Sequence, residues 1–290
     1  MKIKIPEKIY CCLTMINPNW NIKLRYFMIY KKRFPKNPKT FVEKLLYLRM
    51  KYYNKSSLVA QCSDKVEVRN FLVEKGFGNF LNEIYGIYNT AEEFFDTDLP
   101  DSFALKWNFG SGFNIICNDK SKLDIEKAKI KMKKWGKKNY YLANAEMQYA
   151  KCKKKILAEK YLNTVDGLLP RDYKIYCFDG KAKAILVMVN RDTLLKAGFY
   201  SKEWKYLGAE KKYVPLENAE KPVSLEKMIN CAEALSVGIP FVRIDFYQIN
   251  ESPIFGEMTF SPAAGFYTSS TLIEGHSMAD YINLDKEYLM

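Results

Sequence analysis

The stretch Phe241–Gly265, FVRIDFYQINESPIFGEMTFSPAAG, constrains the chain most, because it sets charged side chains into two strands that must lie side by side. Alternation over Phe241–Tyr247 predicts a strand with Phe241, Arg243, Asp245 and Tyr247 on one face and Val242, Ile244 and Phe246 on the other. A polar turn from Asn250 to Pro253 leads to a second strand, Ile254–Phe260, with Glu257 and Thr259 on one face and Gly256, Met258 and Phe260 on the other. The pair reads as a hairpin. If the polar faces coincide, Asp245 and Glu257 are neighbours and repel unless positive charge lies between them. Two sources of that charge are open. One is a hard divalent cation such as Mg²⁺, which takes one or two carboxylates and completes its octahedron with water and nucleotide phosphate oxygens. The other is Arg243, as counter-ion of a solvated hairpin. The small residues Ser261–Gly265 then let the backbone approach a ligand closely.

A chain of 290 residues, 48% hydrophobic and 15% aromatic, buries one large core or two to three smaller lobes. No apolar run reaches the length of a membrane span, and the N-terminus lacks the apolar core and cleavage site of a signal peptide, so the expectation is a cytoplasmic protein. Seven scattered cysteines without a CxxC spacing argue against a disulfide framework and against a zinc site. The net charge of +13 favours an anionic partner: a nucleotide, an acidic glycan, a nucleic acid or an anionic membrane leaflet. Aromatic and basic residues do not interleave along one strand or helix, which argues against nucleic acid.

Along the chain, residues 21–34 are basic and aromatic, and Pro35 and Pro38 separate them from a helix that starts after Thr40. Thr40 with Glu43 forms a capping-box pattern for a helix over Phe41–Tyr53, which packs on the protein body or lies on a membrane surface. Asp64 is a cap for a helix over Lys65–Lys75, with Lys65 and Arg69 on one face, either as surface charges or as a pair aimed at phosphate. Strand Phe103–Trp107 carries Lys106 into the glycine loop Gly110-Ser111-Gly112 and a further strand, Ile115–Cys117. Such a loop presents backbone N–H groups to phosphate, with Lys106 as a point charge beside it. The lysine-rich segment 120–138 reads as a solvated helix, and Ile156–Leu162 as a strand. Asp172–Phe178, Asp179-Gly180 and Lys181–Val189 form a hairpin, which ends at the polar run Asn190-Arg191-Asp192. Ser224 reads as the cap of a helix closed by Gly238 and Pro240.

Read together, these segments resemble the ATP-grasp superfamily, and within it the TupA-like branch associated with bacterial surface polysaccharides. The resemblance runs from about Asn37 to Phe266. It rests on Asn37–Phe41 with Glu43-Lys44, Ser63–Lys65 with Val68-Arg69, Leu99-Pro100 before Phe103-x-x-Lys106, and Gly110–Gly112. It continues in Glu159-x-Tyr161-Leu162, Asp172–Lys174, Arg243-x-Asp245 and Glu257-x-Thr259. The resemblance implies an α+β fold with two lobes that clasp ATP: an N-terminal segment to residue 100, a lid lobe over 101–163 and a metal-binding lobe over 164–290. It implies that Lys65 and Lys106 reach phosphate, that Gly110, Ser111 and Gly112 close over the triphosphate, and that Glu159, Tyr161 and Leu162 read adenine and ribose. Asp245, Glu257 and Thr259 would hold one or two Mg²⁺ ions, and Arg243, Lys174 and Arg191 would serve as catalytic cations. Thr259 stands where the superfamily commonly has Asn, which puts a second metal in question.

The implied activity is ATP-dependent amide formation through an acylphosphate. The expected substrates are a uronic-acid carboxylate of a surface polysaccharide or its precursor and an amine or amino acid, with peripheral contact to the inner membrane surface and no nucleic acid. A phosphotransferase and a glycosyltransferase are the alternatives. The one histidine, His276, has no evident nucleophile beside it.

Overall fold

The computed structural model describes residues 5–98, 100–164, 169–190, 194–210 and 212–285. Arg191, expected as a catalytic cation, lies outside the described residues, as does Leu99 of the Leu-Pro motif.

The helices begin where the chain supplies acceptors for their unpaired first-turn amides. After α1 (Glu7–Ile16), Asn17 caps α2 (Pro18–Tyr30), whose first residue is a proline that has no amide to satisfy. Thr40 and Glu43 form a full capping box on α3 (Phe41–Leu48): the Glu43 amide donates to Thr40 Oγ1 (3.3 Å) and the Thr40 amide to Glu43 Oε2 (3.1 Å). Beyond Leu48 the helix widens into a π turn, Arg49–Tyr53, instead of continuing as an α-helix to Tyr53. Ser56 caps α4 (Ser57–Ser63), and Asp64 Oδ1 accepts from the amides of Val66 and Glu67 ahead of α5 (Glu67–Glu74). Thr90 caps α6 (Ala91–Phe95), Asp124 caps α7 (Ile125–Gly136), and α8 (Tyr140–Asn144) follows. The expectation for α9 (Leu225–Ser236) is corrected: Ser224 does not cap it through its side chain. The Ser224 amide and hydroxyl both donate to Gln248 Oε1, at 3.1 and 2.7 Å, so the hydroxyl is turned away from the helix. Replacing Thr40 with alanine removes one bond of the capping box. The expected cost is about 1 kcal/mol, read as a lower urea midpoint with an unchanged slope.

The chain divides into two compact units. The first takes residues 1–36, 50–71 and 82–161, and the second takes 37–49, 72–81 and 162–290, so the first hundred residues contribute to both.

The first unit is built on a four-stranded antiparallel sheet, in the order β1 (Ile84–Tyr88), β4 (Ile156–Lys160), β2 (Phe103–Trp107), β3 (Asn114–Cys117). Alternation sorts its two faces. Phe103, Leu105 and Trp107 of β2, with Ile156 and Ala158 of β4, join Phe94 of α6 and Met132 of α7 in one core. The Trp107 indole N–H finds the Met132 carbonyl at 3.0 Å, which satisfies its polar end inside that core. Lys106 and Glu159, at alternate positions, are left for the opposite face.

The second unit has a seven-stranded sheet, ordered β11 (Ser252–Thr259), β10 (Val242–Ile249), β5 (Asp172–Phe178), β6 (Lys181–Val189), β7 (Lys196–Tyr200), β8 (Tyr206–Gly208), with β9 (Val214–Pro215) pairing parallel to β7. Asp179 and Gly180 turn β5 into β6 with φ of 47° and 80°, the left-handed pair that a primed hairpin turn needs. Helix α9 buries Leu225, Met228, Cys231, Ala232 and Leu235. Helix α3 buries Phe41, Leu45, Leu46 and Leu48, and Phe41 meets the ring of Phe241 edge-on at 5.2 Å; α3 is a core helix of this unit. Every strand pair except β7–β9 is antiparallel in these two sheets, and with nine helices among the described residues the fold is α+β. No helix among the described residues is long and apolar enough to cross a membrane.

Candidate functional site

In the second unit, strand register gathers the acids and their cations. Lys174 on β5 lies opposite Asp245 on β10, and Asp245 lies opposite Glu257 on β11. One step along, Tyr176, Arg243 and Thr259 form a parallel row on the same face. Arg243 grips Asp245 bidentately, Nε to Oδ1 at 2.6 Å and Nη2 to Oδ2 at 2.7 Å. The same Nη2 reaches Glu257 Oε1 (3.2 Å) and Thr259 Oγ1 (3.1 Å), and the Thr259 hydroxyl donates to Glu257 Oε1 at 3.1 Å. Lys174 Nζ bridges Asp245 Oδ2 (2.5 Å) and Asp172 Oδ2 (2.6 Å). Three carboxylates thus share two cations.

Burial sharpens the electrostatics. Desolvation alone would raise the Asp245 carboxyl, but Arg243 and Lys174 outweigh it and hold the group below the ordinary aspartate range. Burial would likewise depress the Arg243 guanidinium, and the adjoining Asp245 more than offsets that, so it stays firmly protonated. Burial pushes the Tyr176 hydroxyl above its ordinary range. Glu257 differs from its neighbours in that its side chain is 43% exposed.

Arg243 thus stands between Asp245 and Glu257 and bonds both, and with Asp245 buried the hairpin is not a solvated one. Among the described residues, no group of three or more His, Cys, Asp or Glu side chains is placed to hold a metal ion. Two carboxylates and a hydroxyl are nevertheless hard oxygen donors, and Mg²⁺ takes only one or two carboxylates when nucleotide phosphate supplies the rest. The donor set fits that ion through the exposed Glu257 and the adjoining Thr259, while Asp245 can join only if Arg243 releases it.

Further residues shape this face. The loop Ser261–Gly265 holds Ala263 and Ala264 in left-handed backbone, φ 50° and 53°. The buried Arg49 donates through Nη1 to the Ala264 carbonyl. A Cβ on Gly265 would come within 2.9 Å of Leu46 and 3.1 Å of Arg49, so a larger residue there would push the loop off this support. Tyr267 donates its hydroxyl to the buried Glu210, which Lys212 also meets at 3.2 Å. Sequence reading did not single out Arg49, Glu210 or Tyr267, because the Arg49–Ala264 and Tyr267–Glu210 contacts span 215 and 57 residues. Asp172 did carry a signal: an acid and a lysine inside the otherwise apolar strand β5 must pair with something.

In the first unit, the face of the sheet opposite the core carries a second charged group. Lys106 Nζ pairs with Glu159 Oε2 at 2.5 Å, and Arg69 stands 3.6 Å from Glu159 Oε1 while donating to the Asn82 carbonyl at 2.8 Å. Burial lowers the Arg69 guanidinium from its ordinary value, and Glu159 opposes that. Lys65 donates to the Gly110 carbonyl at 2.8 Å. Gly110 has φ 67° and Gly112 φ 77°; a Cβ on Gly110 would also strike the Tyr140 ring at 2.9 Å, whereas Gly112 faces open space. Ser111 at the loop tip is exposed, and Tyr161 and Leu162 follow β4 as partly exposed irregular chain. The structure thus brings Lys65, Arg69, Lys106, Glu159 and the glycine loop into one unit.

The sequence profile described as TupA-like ATPgrasp matches residues 43–281. No curated protein matches the chain. Among solved structures, an L-amino acid ligase from Bacillus licheniformis is similar at 15% identity and TM-score 0.45, over 72% of this chain and 45% of that one. A D-alanine–D-alanine ligase from Bacillus anthracis complexed with ATP is similar at 17% identity and TM-score 0.41, over 75% and 60%. The ATP-grasp ligase PsnB, complexed with minimal precursor, is similar at 13% identity and TM-score 0.41, over 79% and 61%. The chain spans about half to three-fifths of the length of these structures.

Proposed function

This chain belongs to the TupA-like ATP-grasp family, and from that membership we propose that it is an ATP-dependent carboxylate–amine ligase acting on an acidic sugar. The carrying observation is the row Lys174–Asp245–Glu257, with Arg243 bonded to both acids, on one face of the large sheet. Such an arrangement supplies cationic donors for a phosphoryl group and an exposed carboxylate for a metal, the two things phosphoryl transfer asks of a protein.

In the proposed reaction a substrate carboxylate oxygen attacks the γ-phosphorus of ATP, the bond to the β-phosphate oxygen breaks, and ADP leaves. An amine nitrogen then attacks the acyl carbon, phosphate departs, and the nitrogen loses its proton to give the amide. Bound Mg²⁺ would neutralise phosphate charge, held by Glu257 and Thr259. Arg243 and Lys174 stabilise negative charge on the transferring group, Arg191 adds a third cation, and Asp245 fixes Arg243 in position. Lys65, Lys106 and the Gly110–Gly112 loop bind the phosphates, and Glu159, Tyr161 and Leu162 contact the nucleoside. A uronic-acid acceptor of surface polysaccharide type suits a chain with net charge +13, and the proposed setting is the cytoplasm.

The test is ADP release across a panel of uronic-acid nucleotides and amines, with mass spectrometry of products. A product equal to acid plus amine less water is expected. A phosphorylated acid that never reacts with amine would replace the ligase with a phosphotransferase.

A further inference from the structure

The helical hairpin α1–α2 buries a polar network beside Ile22 and Tyr26 on its packed side and leaves large apolar side chains on its outer side, where an ordinary surface helix pair is polar. On the packed side, Asn21 Nδ2 donates to Thr14 Oγ1 at 2.7 Å, and Thr14 Oγ1 donates to the Leu142 carbonyl at 2.8 Å. Arg25 donates through Nε to Asn21 Oδ1 (2.8 Å) and through Nη2 to the Ala143 carbonyl (2.6 Å), with its guanidinium 3.9 Å over the Tyr10 ring. This network ties the hairpin to α8 and fixes which way each helix faces. Opposite Thr14, helical spacing places Ile9, Cys12 and Ile16; opposite Ile22, it places Trp20, Leu24 and Phe27. The stripes approach one another at the single-residue connection Asn17, where Met15, Ile16 and Trp20 are 65%, 68% and 51% exposed.

The charge around this apolar surface has one sign. Residues 5–36 hold seven Lys and Arg against one acid, Glu7, and Lys8, Lys23, Lys31 and Arg33 are exposed. We propose that the α1–α2 hairpin docks on an anionic lipid surface, the apolar stripes entering the headgroup boundary and the lysines meeting lipid phosphate. Aliphatic side chains such as Ile9, Met15 and Ile16 have no partner on a nucleic acid or an acidic glycan, whereas a lipid surface takes both the stripes and the charge. Neither signal suffices alone, because a modest apolar face or a short basic run each binds membranes weakly and reversibly.

The experiment is co-sedimentation of the full chain with vesicles of phosphatidylcholine alone or with added phosphatidylglycerol, at low and high salt. Binding is expected only to the phosphatidylglycerol vesicles, and salt should weaken it. Trp20→Ser with Phe27→Ser, and separately Lys23→Glu with Lys31→Glu, should each weaken binding about tenfold or more, with circular dichroism confirming that both variants fold. Lys127→Glu with Lys134→Glu on the lysine-rich α7 should leave binding unchanged. Equal binding to neutral vesicles, full retention by the hairpin variants, or equal loss in the α7 variant overturns the assignment. So does sedimentation velocity showing that Trp20 and Phe27 pair two copies of the chain. The readout needs neither ATP nor an acceptor, so it stands or falls apart from the ligase reading.

Discussion

Replacing Glu257 with glutamine is expected to lower ATP turnover by about a hundredfold to a thousandfold while leaving the protein folded. Glutamine keeps the volume of the side chain and an oxygen that can accept from Arg243 and from the Thr259 hydroxyl, the contacts Glu257 Oε1 makes at 3.2 and 3.1 Å. What it loses is negative charge at the one exposed acid of the row, 43% open to solvent where Asp245 is buried. For folding that charge counts little, since a solvent-exposed ion pair contributes at most about 1 kcal/mol. For a nucleotide-bound cation it is the accessible carboxylate, and a neutral amide is a poor substitute ligand. The measurement is ADP release beside thermal melting, with Glu251→Gln at the β10–β11 turn as an exposed-acid control. Turnover in the Glu257 variant equal to that of the control would remove Glu257 from the chemistry.

Much of this face can be read from residue order because strand alternation is local. Arg243 and Asp245 share a face by spacing alone, and so do Glu257 and Thr259. What alternation cannot supply is register. The turn reads from sequence as four polar residues, Asn250–Pro253, yet the strands run on to Ile249 and from Ser252, leaving Asn250 and Glu251 as a two-residue turn with φ of 45° and 65°. That tight turn, with a bulge after Asp245, sets Asp245 opposite Glu257. Caps divide the same way. Thr40 and Glu43 lie three residues apart and nothing distant competes, so the capping box is visible in the sequence. Ser224 looks like a cap only as a serine ahead of an apolar run, with Lys227 where a capping box has Glu, and its hydroxyl donates to Gln248 instead. Lys106 and Glu159 show the limit most plainly. Each has a role implied by a separate motif, and only the pairing of β2 with β4 makes them partners at 2.5 Å. On the proposed reading, a phosphate reaching Lys106 would have to compete with Glu159 for it, a cost no motif encodes.

Lys174→Met is expected to destabilise the protein by about 3–5 kcal/mol, the range for removing one partner from a buried ion pair. Lys174 is buried between Asp172 and Asp245, 2.6 and 2.5 Å from their oxygens, and methionine fills its volume without its charge. Asp172 then loses its ion-pair partner, and Asp245 is left with Arg243, whose bonds are already directed at Asp245, Glu257 and Thr259. A loss of that size is a large share of the stability of an ordinary domain, and Asp172→Asn added to Lys174→Met should recover part of it by removing one of the stranded charges. The pH dependence follows from the direction of the Asp245 shift. With its folded pKa depressed, the stability it contributes is complete above the ordinary aspartate value of about 4 and is lost as pH falls through the lower folded value. Removing Lys174 takes away one of the two cations responsible, so the folded value rises and acid unfolding begins at higher pH. Urea melts of both proteins across an acid pH series in metal-free buffer read this directly. Coincident curves would mean that Lys174 does not stabilise the acids it touches, and that the row Lys174–Asp245–Glu257 is not the electrostatic unit its distances describe.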